Sequence, residues 1–409
     1  MHSNTLIGAV AVGQLVAHVA ASPLEARLDN GLGATPLMGW SGWNAGQCNA
    51  ASEKWAVDTA NKFVSLGLKD VGYTYVNIDD CWSTKSRNNS GHLVPDPSKW
   101  PNGIRSVTQK IHGMGLKFGL YGCAGTQTCA GYPGSQGHEY QDAQTLASWD
   151  VDFWKHDNCY TPCNTNPLPQ TCGSPKGNTQ TWYTTMRDAI TSVKGTKNIY
   201  FNLCNWGRDN VWQWGKSMGN SWRMSTDNWG DWASVVRIGA GAQDIAQYSG
   251  PGGFNDLDML IVGNGKLNAN EERLHFGLWA IAKSPLVLGT DLSKISSSTL
   301  AIVKNKGIID INQDPLGKAA APFVPPGGPG RVNGQIYPYW AGPLTDGVVI
   351  GLSAASGAAT LSVKFADVPG LGGSGEYNWK EMYSGKTGRG TSVSFSLASH
   401  DMAVIKVTR

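Results

Sequence analysis

Up to about residue 310 the chain repeats one two-part unit, a short apolar run followed by a stretch with helical periodicity. Eight runs read as buried strands: Leu37–Trp43, Tyr75–Asp80, Lys117–Gly122, Val151–Asp157, Asn198–Cys204, Trp222–Thr226, Asn255–Leu260 and Pro285–Gly289. Between them, Ile104, Val107, Ile111 and Met114 keep the rhythm of one helix face, as do Trp182, Met186, Ile190 and Val193. Glu271–Lys283 opens on acids and ends on Lys283 before Ser284-Pro285, as dipole and breaker rules require of a helix. Eight βα units in this length predict a (β/α)8 TIM barrel over residues 28–318, with a doubly wound sheet as the competing architecture.

The pattern then changes. Residues 319–330 (AAAPFVPPGGPG) read as a Pro/Gly-rich linker. Beyond it, Ile336–Trp340, Val348–Leu352, Ala359–Phe365, Val393–Leu397 and Met402–Val407 alternate between Gly-rich turns, which predicts a C-terminal antiparallel β-sandwich over 331–409 with a structural role. At the other end, an apolar stretch from Leu6 to Ala21 followed by small residues and Pro23 reads as a secretory signal peptide over 1–21, too short and too interrupted by Gln14 and His18 for a membrane span. The segment from Ser22 to Arg27 reads as a short pro-segment. Eight cysteines beyond it fit disulfides in an oxidising compartment, and their spacing alone chooses no connectivity. Asn88-Asn89-Ser90 is a glycosylation sequon, placing Asn88 on the surface.

Function is read at the strand ends, because barrel active sites sit on the C-terminal side. Those ends carry Trp43, Asp79-Asp80, Tyr121, Asp157, Cys204-Asn205, Asp227 and Asp258. Five carboxylates at one mouth mean metal ligands or acid, base and nucleophile work. Here composition decides. Charged residues are 15% of the chain against roughly 25% in soluble domains. The net charge of +3 gives no basic field for a nucleic acid. With 17 tryptophans, the composition points to a neutral, polar partner with apolar faces, such as a carbohydrate.

Longer motifs sharpen this. LDNGLGATPLMGWSGW at 28–43 followed by Cys48, YVNIDDCW at 75–82, TCAGYPGS at 128–135, WKHDNC at 154–159, CNWG at 204–207, SWRMSTD at 221–227, NDLDML at 255–260 and INQDPLG at 311–317 arrive in order. Together they resemble glycoside hydrolase family 27, the melibiase family, and most of all its yeast and fungal secreted α-galactosidases, over essentially residues 28–409.

The resemblance implies a retaining exo-glycosidase that removes terminal α-D-galactosyl residues, with no cofactor and no metal. It makes Asp157 the nucleophile and Asp227 the acid/base. It assigns Asp79 and Asp80 to the O4 and O6 side of the sugar, and Lys155, Arg223, Asp258, Trp43 and Tyr121 to further contacts. Trp206 is read evenly as rim or core. Asn205 stands where family members tell a 2-hydroxyl from a 2-acetamido group, and favours galactose. The resemblance pairs Cys48 with Cys81 and Cys129 with Cys159. Cys163–Cys172 is added as a short-loop pairing, leaving Cys123 and Cys204 as buried thiols. The chain departs from the family at His156, at Phe254 and at Ser41-Gly42; His156 is expected to face away from the site, and the other two to bear on subsite preference.

Physical chemistry adds its own expectation. Two close carboxylates cannot both ionise cheaply. Lys155, two residues from Asp157 on one strand face, is expected to keep Asp157 ionised, so that Asp227 carries the raised pKa. Competing readings are an α-N-acetylgalactosaminidase or β-L-arabinopyranosidase of the same family, and a non-catalytic carbohydrate-binding protein. No nucleic acid and no membrane partner is expected.

Overall fold

The computed structural model describes residues 28–161, 179–373 and 375–409. The signal-peptide and pro-segment readings, and the Cys163–Cys172 pairing, lie outside the described residues. Eight parallel strands form the first sheet: β1 (Met38–Ser41), β2 (Tyr75–Asn77), β3 (Lys117–Cys123), β4 (Phe153–Asp157), β5 (Tyr200–Cys204), β6 (Ser221–Arg223), β7 (Phe254–Asp256) and β8 (Leu286–Leu288). Strands β1 to β7 pair one after another in sequence order, and β1 also pairs with β8. The ring closes through a parallel bridge between Leu260, just past β7, and Leu288 in β8. This is the expected TIM barrel.

The helices form where periodicity and caps agree. Gly103–Gly113 buries Ile104, Val107, Thr108 and Ile111 on one face. Gln180–Ser192 buries Tyr183, Met186, Ala189 and Ile190. Ala269–Ile281 starts at a capping box, in which Asn268 Oδ1 accepts from the Glu271 amide at 3.1 Å and Glu271 Oε2 accepts from the Asn268 amide at 2.9 Å.

Side-chain alternation gives the barrel its interior. On β4, Phe153, Lys155 and Asp157 share one face while Trp154 and His156 share the other. The lower interior is plugged by Leu37, Tyr75, Phe153 and Tyr200, with the Phe153 and Tyr200 rings stacked at 5.6 Å. Above that plug the layer turns polar, with Asn77, Asp79, Lys155, Asn202, Arg223, Asp256 and Asp258 around a small internal cavity. The apolar plug thus closes the bottom of the barrel and leaves the charged groups at its mouth. His156 faces outward, as expected: it is buried, it accepts from Trp154 Nε1 at 3.1 Å, and its ring meets Tyr183 at 5.7 Å. Burial pushes its pKa down to about 3 and keeps it neutral.

The C-terminal part has a six-stranded antiparallel sheet: β9 (Ala321–Pro322), β10 (Tyr339–Leu344), β11 (Gly347–Ser353), β13 (Tyr377–Glu381), β14 (Thr387–Gly390) and β16 (Met402–Thr408), ordered β14-β13-β16-β11-β10-β9. A second sheet pairs β12 (Ala359–Lys364) with β15 (Ser392–Leu397). Two features differ from the sequence reading. The segment read as a linker supplies the short edge strand β9, and β13 and β14 carry too few apolar residues to stand out in sequence.

The larger sheet is buried on both faces. Ile350, Leu352, Ile405 and Val407 point into the sandwich core. Trp340, Val349, Met402 and Val404 belong instead to the barrel's core. The helix Ala269–Ile281 lies against this outer face, and Gly277 makes the approach possible: a Cβ there would stand 2.9 Å from Val404. Arg273 adds two bonds to the Asp401 carboxylate, at 3.0 and 2.7 Å.

Candidate active site

At the mouth, the strand ends give way to loops held in demanding conformations. Cys81, Trp206 and Asp258 all have positive φ (74°, 65° and 73°), although none is glycine. Such conformations persist where surrounding structure over-determines them, and they cluster at functional sites. Gly207, after Trp206, has φ 81°, and a Cβ there would stand 2.3 Å from the Met224 carbonyl. Only glycine fits, which explains the last residue of CNWG.

A cleft of ≈ 310 Å³ opens between these loops. It lies at the small end of the roughly 300–1,000 Å³ typical of small-molecule sites. Trp43, Asp79, Asp80, Tyr121, Lys155, Asp157, Trp206, Arg223, Asp227 and Asp258 all line it. Trp43 does so from the first turn of a short helix, Trp43–Gly46, rather than from the strand. Asp79, Asp80, Asp227 and Asp258 lie just past the ends of their strands.

Each charged group is held by several partners. Asp157 Oδ2 accepts from the Tyr121 hydroxyl at 2.8 Å, and its Oδ1 from the Asn158 amide at 2.8 Å. The Cys129–Cys159 disulfide walls this side, with Cys129 Sγ 3.4 Å from Asp157 Oδ2. Cys129, Asp157 and Cys159 are close enough together to suit a metal ion, but the two sulfurs are joined to each other. Asp79 Oδ2 accepts from Lys155 Nζ at 2.8 Å and from Ser41 Oγ at 3.2 Å. Asp80 accepts from the amides of Cys81 and Ala130 at 2.7 and 2.8 Å. Arg223 Nη2 reaches Asp227 Oδ1 at 2.8 Å and Asp258 Oδ2 at 3.0 Å. Asp258 also accepts from the amides of Asn228 and Met259, at 2.6 and 2.8 Å.

The distribution of charge differs from the sequence expectation. Burial pushes Asp157 up to about 6; Lys155 opposes this, and the charge of Asp227 adds to it. Lys155 makes its direct contact with Asp79, and its charge offsets only part of the rise at Asp157. Asp227 is about half exposed, its side chain 48% accessible. Partial desolvation works to raise it, but the charge and hydrogen bond of Arg223 hold it below the ordinary aspartate range. Burial also lifts Asp258 to about 6, against the pull of Arg223. Lys155 stays protonated although burial opposes its charge, because Asp79 stands beside it. Of the two carboxyl groups it is therefore Asp157, rather than the expected Asp227, whose pKa is raised.

Asn205 is the second correction. It does not line the cleft. It is fully buried, and its Nδ2 donates to Thr179 Oγ1 at 2.8 Å. The strand-end position was legible, but the side chain takes the outward direction, and its contacts are to Thr179 behind the wall. Phe254 is also fully buried, at the start of β7 and away from the cleft lining, so that departure bears on packing. Ser41 supports Asp79, as above. Cys48 and Cys81 form a disulfide, and Cys123 and Cys204 are buried free thiols. Asn88 is exposed in a turn, its Oδ1 accepting from the Ser90 and His92 amides.

Several cleft residues escaped the sequence reading: Asn44, Gln47, Asn228, Trp229, Asn264 and Lys266. Most come from loop positions with no periodicity. Trp229 alone had a signal, being an aromatic two residues beyond the Asp227 motif.

A closed eight-stranded barrel with a plugged floor, and with five carboxylates and three cations around a cleft of this size, is the architecture of a barrel glycoside hydrolase. Residues 35–314 match the family described as α-galactosidase A, a melibiase family, and residues 334–407 match the α-galactosidase C-terminal β-sandwich domain. The chain therefore belongs to the melibiase family of glycoside hydrolases. It is 41% identical to a protein named "Probable alpha-galactosidase B" from Penicillium simplicissimum, over 92% of this chain and 94% of that one. The crystal structure of α-galactosidase I from Mortierella vinacea superposes with a TM-score of 0.83 at 34% identity, covering 93% and 98% of the two chains. The Saccharomyces cerevisiae α-galactosidase solved with raffinose gives 0.79 at 31% identity, covering 92% and 98%.

Proposed function

We propose that the protein is a retaining α-galactosidase that removes terminal α-D-galactosyl residues from oligosaccharides or galactomannan by double displacement. The observation that carries the reading is the pair Asp157 and Asp227, which face one sugar-sized cleft with different surroundings. One carboxylate is enclosed and fixed by two donors, as a nucleophile must be. The other is half exposed on a loop, where a leaving group and then water can reach it.

In the first step, an oxygen of ionised Asp157 attacks the anomeric carbon. The bond to the leaving oxygen breaks, its electron pair stays on that oxygen, and Asp227 supplies the proton. In the second, ionised Asp227 takes a proton from water, the water oxygen attacks the anomeric carbon, and Asp157 departs as carboxylate. The reacting form needs one proton on the pair and needs it on Asp227. Sugar binding supplies the shift: filling the cleft excludes water from Asp227 and removes the screening that favours its charged form. Asp79, Asp80 and Asp258 accept from sugar hydroxyls, Lys155 and Arg223 donate to them, and Trp43, Tyr121 and Trp206 give the ring apolar faces.

The relatives' names support galactose as the sugar. The test is hydrolysis of an aryl α-galactoside against its 2-acetamido analogue, followed by NMR. Faster cleavage of the galactoside with α-galactose appearing first is expected; a faster acetamido substrate, or β-galactose first, overturns the reading. Secretion belongs to the same proposal, supported by the segment 1–21 and by two disulfides. No helix among the described residues is long and apolar enough to cross a membrane.

A further inference from the structure

Trp229 is 66% exposed, an unusual state for the side chain with the largest apolar surface, and it lines the cleft two residues beyond Asp227. Its ring is open to solvent, but its backbone is fixed. The Trp229 amide donates to Ser234 Oγ at 3.2 Å, and its carbonyl accepts from Lys266 Nζ at 3.4 Å. On one side, the Asn228 amide donates to Asp258 Oδ2 at 2.6 Å, and the Asn228 carbonyl accepts from Asn44 Nδ2 at 3.2 Å. On the other, the Gly230 amide donates to Asn228 Oδ1 at 3.2 Å. The loop thus presents an indole on a rigid mount, which lowers the ordering cost of any ligand that stacks on it.

The mechanism says what that ligand is. The general acid must reach the oxygen that leaves, so the departing half of the substrate lies on the Asp227 side of the cleft. Trp229 stands on the same loop, on that side. The C–H face of a second sugar ring is electropositive and matches the negative face of an indole. Gln47 and Lys266 line the same cleft and carry long polar side chains suited to that ring's hydroxyls.

We propose that Trp229 is the platform for the leaving-group sugar, so that the enzyme prefers a glycosyl leaving group to a small alkyl one. This rests on the α-galactosidase reading and adds a specificity determinant to it.

The test compares kcat/KM for raffinose with kcat/KM for methyl α-D-galactopyranoside in the wild type, Trp229→Ala and Trp229→Phe. Trp229→Ala lowers the raffinose-to-methyl ratio about tenfold, the effect falling on KM for raffinose, because a stacking contact made equally in ground and transition states is uniform binding. Trp229→Phe keeps most of the ratio. An unchanged ratio in Trp229→Ala overturns the platform, as does an equal loss of kcat on both substrates, which would make Trp229 a support for Asp227. A wild type that cleaves neither substrate overturns the α-galactosidase reading itself, a distinguishable failure.

Discussion

Arg223 Nη2 lies 2.8 Å from Asp227 Oδ1, so the proposed general acid starts out paired with a buried guanidinium that favours its ionised form. Burial raises Arg223's own need for partners, and Asp227 and Asp258 meet it together. The acid is thus held where it must act, at the cost of the proton it must deliver.

That balance sets a pH profile. Asp157 takes up its proton at about 6, and Asp227 only below the ordinary aspartate range. Between the two the pair holds one proton, which is the number that double displacement requires, whichever oxygen carries it. The profile of kcat/KM for an aryl α-galactoside should be level down to about pH 4 and fall above about pH 6, because the proton is lost as pH rises. Asp258, also lifted to about 6, loses its proton in the same window. A profile still rising between pH 6 and pH 8 would contradict this assignment.

Asp157→Asn should abolish turnover and stabilise the fold at neutral pH. An acid whose folded pKa is raised costs stability once it is ionised. The native state binds more protons than the unfolded chain between about pH 4 and 6, so the contribution of Asp157 falls as pH rises through that window. The neutral amide removes the cost. The expected gain at pH 7 is about 2–3 kcal/mol, read as a higher Tm, and it should vanish near pH 4. A lower Tm at pH 7, or measurable turnover, would count against the environment described for Asp157.

Asn205 offers a contrast. Its contact is with Thr179, so Asn205→Ala should lower stability by about 1–2 kcal/mol, through the loss of a buried hydrogen bond. Selectivity between the galactoside and its 2-acetamido analogue should move by less than about threefold, since the group does not line the cleft. Side-by-side thermal melts and initial rates decide it; a large selectivity change with an unaltered Tm would restore the 2-hydroxyl role expected from sequence.

The Cys129–Cys159 bridge joins stability to catalysis. It closes a span of 30 residues, and Cys129 Sγ touches the Asp157 carboxylate. The double variant Cys129→Ala, Cys159→Ala should lose about 2–4 kcal/mol of stability. At a temperature where the variant is still folded, kcat should fall as well, because one wall of Asp157 becomes mobile. Calorimetry together with single-temperature kinetics tests both halves.

Period-two alternation on β4 was enough to place Phe153, Lys155 and Asp157 inside the barrel and His156 outside it. The helix Ala269–Ile281 was announced, as Glu271–Lys283, by its opening acids and by Lys283 before Ser284-Pro285. Asp79, Asp80, Asp227 and Asp258 could be found because strand-end acids are rare and polar, although the structure puts them in loops just beyond the strands. Gln47 and Lys266 left no comparable trace: loop residues follow no period, and nothing local says which loops meet across the mouth.

Sequence by itself determined the barrel, its closing β-sandwich and the faces on which the acids lie, since these follow from repeats and spacings within single segments. Only the tertiary structure decided which charge pairs with which. Lys155 turns to Asp79 just past another strand, Arg223 ties Asp227 to Asp258, and the carboxyl with the raised pKa is Asp157. Coulomb energy and desolvation depend on distances between segments far apart in the chain, and those distances exist only once the ring of strands has closed.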